Sequence, residues 1–427
     1  MSSYKNRISQ FNEMLADPII DLLKFKTLCF EGIPDHPSLR SLSWKILLEY
    51  LPLKKSDRII ELSRHRLVYK NYVKEIVAHP DHSNKENNVS DHPLNMCQGS
   101  QWKTYFKDNE VLLQIDKDVR RLCPDISFFQ QETSYSIYTL IDEIGPCETL
   151  TKRVDQAILE TSVIGTTKGG LRNAIIKKYR EEDYTTLEDG KEAHWQVVER
   201  ILFIYAKLNP GLAYVQGMNE IIGPLYYTFA SDPDLNWQEH AEADCFFCFT
   251  NLMGEIRDHF IKTLDDSPLG IGQHMNKLFF LLQTKDAELW KDLEAKQMKP
   301  QFFAFRWITL LLSQEFNLPD VIRLWDSLFA DTKRFEFLLY VCVAMLVLIR
   351  EQIFECDFPK AMKLIQNFPH ETYDMSVIIR KAEELRVVSS YVPVQPDGDL
   401  PSKSKETFLQ RSKFKKKFSI HVRNKSS

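Results

Sequence analysis

Trp195–Leu208 reads WQVVERILFIYAKL, and is followed by the break Leu208-Asn209-Pro210-Gly211 and a second apolar segment from Met218 to Phe229. Two helical segments across so short a break open a crowded series. Further segments follow at Glu239 to Lys262, Asn276 to Gln297, Phe302 to Glu315, Asp320 to Ala330 and Phe335 to Glu355. Upstream, Leu39, Leu42 and Ile46 share one face of Leu39 to Leu51, while Trp44, Leu47 and Leu51 occupy another; a helix buried on both sides belongs inside a large helical domain. Ile59, Leu62, Arg66, Tyr69, Val73 and Ile76 form a ladder behind a cap at Ser56-Asp57, and Asn109 to Leu122 is one more candidate, ended by Cys123-Pro124. Alternating β-branched runs with hairpin signals are nearly absent, and no period of 20–50 residues recurs. The chain is expected to be all-α.

Three stretches interrupt this pattern. Residues 79–100, rich in Asn, Ser, His and Asp, suit a loop. Residues 131–192 are long, charged and dotted with Gly165, Gly169, Gly170 and Gly190, which suggests an insertion with one helix near Leu171–Arg180. Residues 392–427 combine three prolines with a basic run and suit a disordered tail. Around these, residues 1–29 are expected to form a helical lead-in and residues 351–391 C-terminal helices packed on the domain.

The formal net charge of −4 is too small to argue for nucleic acid as a partner. Its placement is uneven: residues 401–427 hold seven Lys and two Arg against one Glu, a net +8, which leaves about −12 on the other 400. The eight cysteines show no framework spacing, and Cys245 and Cys248 form half a zinc site without a second pair, so buried thiols in a reducing compartment are expected and no metal. Met1 to Phe25 mixes charges through its apolar positions, unlike a signal peptide. The longest apolar run, Phe337 to Ile349, has 13 residues, short of the roughly 20 that span a bilayer. A soluble protein is expected.

Two short motifs carry chemistry. In Ile115-x-x-Asp118-x-x-Arg121, i, i+3 spacing on a helix lets Ile115 anchor a face while Asp118 restrains the guanidinium. Arg120 competes for the role, but its i−3 neighbour Lys117 would repel it. Alone, the motif is read most simply as a surface ion pair worth under about 1 kcal/mol. In Tyr214-x-Gln216-Gly217, Gly217 permits close approach or positive φ, and alone the segment is again read most simply as a helix start with Gln216 or Asn219 meeting orphan amides. Arginine and glutamine together make no nucleophile and base; they suit charge stabilisation and alignment of a water, as GTP hydrolysis requires.

Gly32-Ile33-Pro34 with Leu39-Arg40-x-x-x-Trp44, then the Asp118-Arg121 and Tyr214-Gln216-Gly217-Met218-Asn219 motifs, resemble the successive fingerprints of the TBC (Tre-2/Bub2/Cdc16) domain. Phe305-Arg306-Trp307 and Leu324-Trp325-Asp326 resemble its C-terminal half, so the resemblance covers roughly residues 30–350. It implies a two-lobed helical domain that activates GTP hydrolysis by a GTP-bound Rab GTPase and so regulates vesicle trafficking. Arg121 would be the arginine finger and Gln216 the glutamine finger, both supplied in trans. Asp118 would orient Arg121, and Tyr214, Gly217 and Asn219 would shape the Gln216 loop. Arg40 and Trp44 would hold the fold rather than touch nucleotide, and Arg306, Trp325 and Asp326 would be structural. The chain's own Gly165-Thr-Thr-Lys168-Gly169-Gly170 lacks a P-loop ending, so no cofactor is expected and GTP and Mg²⁺ arrive on the partner. The implied location is cytoplasmic, with peripheral contact between the 401–427 basic run and anionic endomembranes. The competing reading is a Rab-binding or scaffold module that hydrolyses nothing, and the presence of both finger residues favours catalysis.

Overall fold

Helix boundaries in the computed structural model, which describes residues 2–77, 101–136, 150–165, 183–188, 190–261 and 270–388, are set largely by side chains that meet the orphan groups of helix ends. The first helices are α1 (Ser2–Ala16), α2 (Leu22–Phe30), α3 (Leu39–Leu47), α4 (Arg58–Val77), α5 (Gln101–Val119) and α6 (Leu150–Gly165). The central pair is α7 (His194–Leu208) and α8 (Met218–Ala230), followed by α9 (Leu235–Gln238), α10 (Ala241–Ile256), α11 (Ile271–Lys285) and α12 (Ala287–Ala295). The chain continues through α13 (Ala304–Thr309), α14 (Leu318–Ala330), α15 (Glu336–Leu348), α16 (Arg350–Phe354), α17 (Phe358–Gln366) and α18 (Met375–Val388). Asp21, Asp234, Asp286, Asn317 and Asp357 each accept a hydrogen bond from a first-turn amide. Pro319 and Pro359 occupy first-turn positions, where a missing N–H removes no helix bond.

The described residues hold no β-strand, only the isolated bridges Ile19–Lys54 and Glu132–Ala193, and the fold is all-α. At its centre lies α7, where every residue from His194 to Ala206 except Gln196 is buried. It packs on α4, α5, α6, α8 and α10. Of its buried charges, Arg200 forms a fork with Glu242 (2.7 Å on both nitrogens) and also meets Glu192, while burial pushes the Glu199 carboxyl well above its ordinary value. The chain divides into two units, Met1–Arg386 and Val387–Ser427, and of the second only residues 387 and 388 are described.

Several expected helices differ in extent. Asp286 splits the expected Asn276–Gln297 helix because its carboxylate accepts from the Leu289 amide and starts α12 anew. Phe302–Glu315 is helical only over α13: Leu311 and Leu312 take positive φ (51° and 62°), and the Leu311 carbonyl accepts from Trp325 Nε1 at 3.0 Å. Phe335–Glu355 breaks after α15, where the Leu348 carbonyl accepts from the Tyr373 hydroxyl. Of the expected ladder on α4, Tyr69 and Val73 are buried and the Arg66 guanidinium reaches Asp244, whereas Ile59 at its start is exposed. Within 131–192, α6 was not anticipated; Leu150, Val154 and Ala157 bury its apolar face against α5 and α7. Arg153 on α6 lies over the Tyr105 ring and donates to Asn109 at 2.6 Å. The expected Leu171–Arg180 helix, the 79–100 loop and the 392–427 tail lie outside the described residues. No helix among the described residues is long and apolar enough to cross a membrane.

Candidate functional site

Helix α5 was expected to reach Leu122 and ends at Val119, so Arg121 sits in the tight turn beyond it. The Arg121 amide donates to the Asp118 carbonyl at 3.3 Å and the Leu122 amide to Val119 at 3.2 Å, i to i−3 bonds that tighten the last turn, and Cys123 reverses the chain at φ 45°. This turn separates two adjacent arginines. Arg120 points inward: its Nε donates to Asp116 at 2.8 Å, its Nη1 donates to the Tyr184 carbonyl at 2.8 Å, and its guanidinium lies 4.5 Å from the Trp195 ring centre. Arg121 points outward, with a side chain 41% exposed. Its Nε donates to the Lys117 carbonyl at 3.1 Å, while Asp118 and Asp183 stand 3.7 and 3.8 Å away, too far for hydrogen bonds.

The glutamine loop is built on the end of α7. Asn209 closes that helix, and its carbonyl accepts from Leu212 (3.0 Å) and Ala213 (2.7 Å), turning the chain through a left-handed Ala213. Gln216 is exposed, and its amide makes no hydrogen bond among the described residues. Gly217 starts α8 at φ +100°, and a Cβ there would stand 2.8 Å from Leu310 Cδ2, so both backbone angle and space require glycine. Leu310 comes from the irregular end of α13, which is why the sequence offered no sign of it.

One buried carboxylate joins the two motifs. The Tyr214 hydroxyl donates to Asp118 Oδ2 at 2.8 Å and lies 3.3 Å from Asn219 Oδ1; the Asn219 amide donates to the Asp118 carbonyl at 3.4 Å and to Glu220 at 2.8 Å. Burial pushes the Asp118 carboxyl above the usual carboxylate range, against the opposing pull of the Tyr214 hydroxyl and Arg121. Burial and the same carboxylate hold the Tyr214 hydroxyl well above its ordinary value, so it stays protonated and donates. Ile115 is fully buried beneath. The site thus has a buried floor of Ile115, Asp118, Tyr214 and Asn219 carrying two exposed tips, Arg121 and Gln216. Sequence reasoning missed Asp183 and Tyr184, which reach Arg121 and its turn from more than 60 positions away, a separation that leaves no local pattern.

The other motif residues lie elsewhere. Asp326, fully buried, accepts from Trp44 Nε1 (2.8 Å), the Ile33 amide (2.9 Å) and Arg40 Nε (3.3 Å), tying α3 to α14. Arg306 grips Glu315 with a fork of 2.6 and 3.0 Å, and Trp325 holds Leu311. Cys245 and Cys248 are buried on α10, and no cluster able to hold a metal occurs among the described residues. A polar cavity of about 210 Å³ between Phe128, His194, Tyr226 and Glu239 is lined by none of the motif residues. Arg121 and Gln216 are themselves exposed, a geometry suited to another macromolecule.

These features define an all-α protein in which one buried carboxylate, Asp118, meets both Arg121 and Tyr214. A profile of the Rab-GTPase-TBC domain matches residues 178–354. The chain is 54% identical over 399 residues to TBC1 domain family member 13 of Homo sapiens, covering 90% of this chain and 99% of that protein. It is 38% identical over 461 residues to a TBC domain-containing protein of Schizosaccharomyces pombe, covering 90% of this chain and 73% of that one. Among solved structures, the Ypt/Rab-GAP domain of Gyp1p shares the fold with a TM-score of 0.64 at 24% identity, covering 91% of this chain and 98% of that one. The chain belongs to the Rab-GTPase-TBC domain family.

Proposed function

We propose that this chain is a GTPase-activating protein for a GTP-loaded Rab GTPase, with Arg121 and Gln216 entering the partner's nucleotide site. The observation that carries this reading is the shared floor: Asp118 pairs with Arg121 at 3.7 Å and accepts from Tyr214, two residues before Gln216, at 2.8 Å. The turn carrying Arg121 and the loop carrying Gln216, 95 positions apart in sequence, are thus joined through one carboxylate. A planar guanidinium can bridge oxygens of the β- and γ-phosphates, and a carboxamide can accept from and donate to the attacking water. Neither group takes up a proton; both place charge and dipole where the transition state needs them. An arginine supplied in this way accelerates hydrolysis by about 10³–10⁵, or roughly 4–7 kcal/mol of barrier. The nucleotide and Mg²⁺ belong to the partner. Family membership and the fold shared with a Ypt/Rab-GAP domain support the choice of partner, and with it a role in vesicle trafficking at cytoplasmic membrane surfaces.

Single-turnover hydrolysis on a panel of GTP-loaded Rab GTPases tests this. Wild type accelerates at least one; Arg121→Ala and Gln216→Ala each lose about 100-fold or more. Arg121→Lys recovers little, because it keeps charge and loses the planar fork. A fully active Arg121→Ala, or binding without acceleration across the panel, would leave a binding module. The 401–427 basic run, outside the described residues, is proposed to contact anionic membrane; unchanged vesicle binding after its deletion removes that part of the proposal.

A further inference from the structure

We propose that Asp183 is a positioning residue for Arg121, and that Asp183-Tyr184 thereby couple the 131–192 stretch to the action of the arginine. This rests on the reading of Arg121 as the hydrolysis-promoting residue. No motif marks either position, and both lie in the stretch read from sequence as an insertion.

The backbone around Arg121 is clamped from both sides by Tyr184. Its amide donates to the Arg120 carbonyl at 2.9 Å, and its hydroxyl donates to the Leu122 carbonyl at 2.6 Å. Arg120 returns the contact through Nη1 to the Tyr184 carbonyl at 2.8 Å. The tight turn carrying Arg121 is therefore stitched, before and after that residue, to a segment more than 60 positions downstream. Tyr184 is buried, and burial pushes its hydroxyl up to about 12, which keeps it a donor across the working pH range.

With the turn fixed, the side chain's direction is set by charge. Asp183 Oδ1 stands 3.8 Å from Nε and Asp118 Oδ1 3.7 Å from Nη2, both carboxylates largely shielded from water. Together with the Lys117 carbonyl on Nε, they hold the Nε and Nη2 sides of the guanidinium. The hydrogen bond and the closest carboxylate approaches fall on Nε and Nη2, and Nη1 is the edge proposed to meet a phosphate oxygen. Both carboxylate contacts exceed hydrogen-bond length, so they orient the group through the field of two negative charges without a bond that must break when Arg121 advances.

The test uses the full chain and a Rab GTPase that wild type activates. Asp183→Asn keeps shape and removes charge; it is expected to lower kcat about 2- to 5-fold, the scale of one exposed ion pair, with KM within about 2-fold of wild type. Asp183→Glu recovers part of the loss. Tyr184→Phe removes the donor to Leu122 and lowers kcat by a similar factor. A second readout needs no GTPase: the Nε–Hε NMR signal of Arg121, sharp in wild type, broadens or shifts in Asp183→Asn at an unchanged unfolding midpoint. If Arg121→Ala abolishes activation while Asp183→Asn matches wild type in both kcat and the Arg121 signal, the positioning role is overturned and the GTPase-activating reading stands. An Asp183→Asn chain faster than wild type overturns it too, since that carboxylate would then be a competitor of phosphate. If Arg121→Ala equals wild type, the reading beneath the proposal fails first.

Discussion

Tyr214→Phe isolates the bond on which the site depends. The phenyl ring stays in its buried slot, so no cavity opens and only the hydroxyl is lost. That hydroxyl is the sole hydrogen-bond donor to the Asp118 side chain among the described residues, at 2.8 Å. Asp118 is 8% exposed, so water replaces the lost donor poorly. A hydrogen bond to a charged group contributes about 1.5–3 kcal/mol, and a loss of about 2 kcal/mol is expected in urea unfolding. The 3.3 Å approach to Asn219 adds little. Because Asp118 also restrains Arg121, the same change should reach catalysis: 2 kcal/mol, if fully expressed in the transition state, is about 30-fold in single-turnover rate. Asp118→Ala removes the same bond from the other side, along with the weak Arg121 pair. A double-mutant cycle should therefore show a coupling of about 1.5 kcal/mol or more in stability, with the same sign in the rate. Additivity within about 0.5 kcal/mol would refute the argument that this bond couples the motifs. So would a loss of stability with unchanged rates.

Gly217→Ala forces a side chain into φ +100° and sets its Cβ 2.8 Å from Leu310 Cδ2; thermal melts should show a destabilisation of about 1–3 kcal/mol, and Leu310→Ala should relieve the contact but not the backbone strain. Asp244 is fully buried: burial alone would raise its pKa, but Lys45, Arg66 and the Tyr50 hydroxyl outweigh this and bring it below 3.8. The unfolded chain therefore takes up the proton first, so the stability Asp244 supplies is complete above about pH 4 and is lost as pH falls toward its folded value. Asp244→Asn should flatten that acid limb in pH-dependent melts. At neutral pH it should destabilise by about 3–5 kcal/mol, because Lys45, itself fully buried at 3.0 Å, loses its counter-ion.

What the sequence revealed depended on how local the cause was. Helix α7 was legible because its apolar residues are dense and the break after Leu208 is chemical, an Asn-Pro-Gly run that cannot extend a helix. The split at Asp286 was missed because a carboxylate capping its own downstream turn looks like any charge on a helix face. Helix α6 was missed for a related reason: Lys152, Arg153 and Asp155 conceal the apolar positions Leu150, Val154 and Ala157, and Arg153 is itself drawn inside by a ring and an amide contributed by α5. The choice between Arg120 and Arg121 is instructive. Spacing disfavoured Arg120 because Lys117 would repel it, whereas the structure removes Arg120 from the surface because Asp116, one turn earlier, and the Tyr184 carbonyl bind it. The local argument named the outward residue through a different force. Asp183, Tyr184 and Leu310 reach the site only through tertiary folding, and no window of sequence contains them.

The arginines of this chain differ in how tightly they are held, and the difference bears on function. Arg66, Arg200 and Arg306 each meet a carboxylate through two nitrogens at 2.6–3.0 Å. Each such charged hydrogen bond contributes about 1.5–3 kcal/mol, so moving any of these groups would first require breaking two of them. Arg121 has two carboxylate neighbours as well, but at 3.7 and 3.8 Å, and it is half in solvent. An ion pair of that kind contributes under about 1 kcal/mol. On the proposed mechanism this loose hold is a requirement: a guanidinium that must leave its resting contacts for a phosphate cannot be locked by the same fork that builds the core. Rigidity is supplied one step away instead, in the Tyr184-stitched backbone and the Tyr214–Asp118 bond. The side chain then starts from a defined direction and has little to break on arrival.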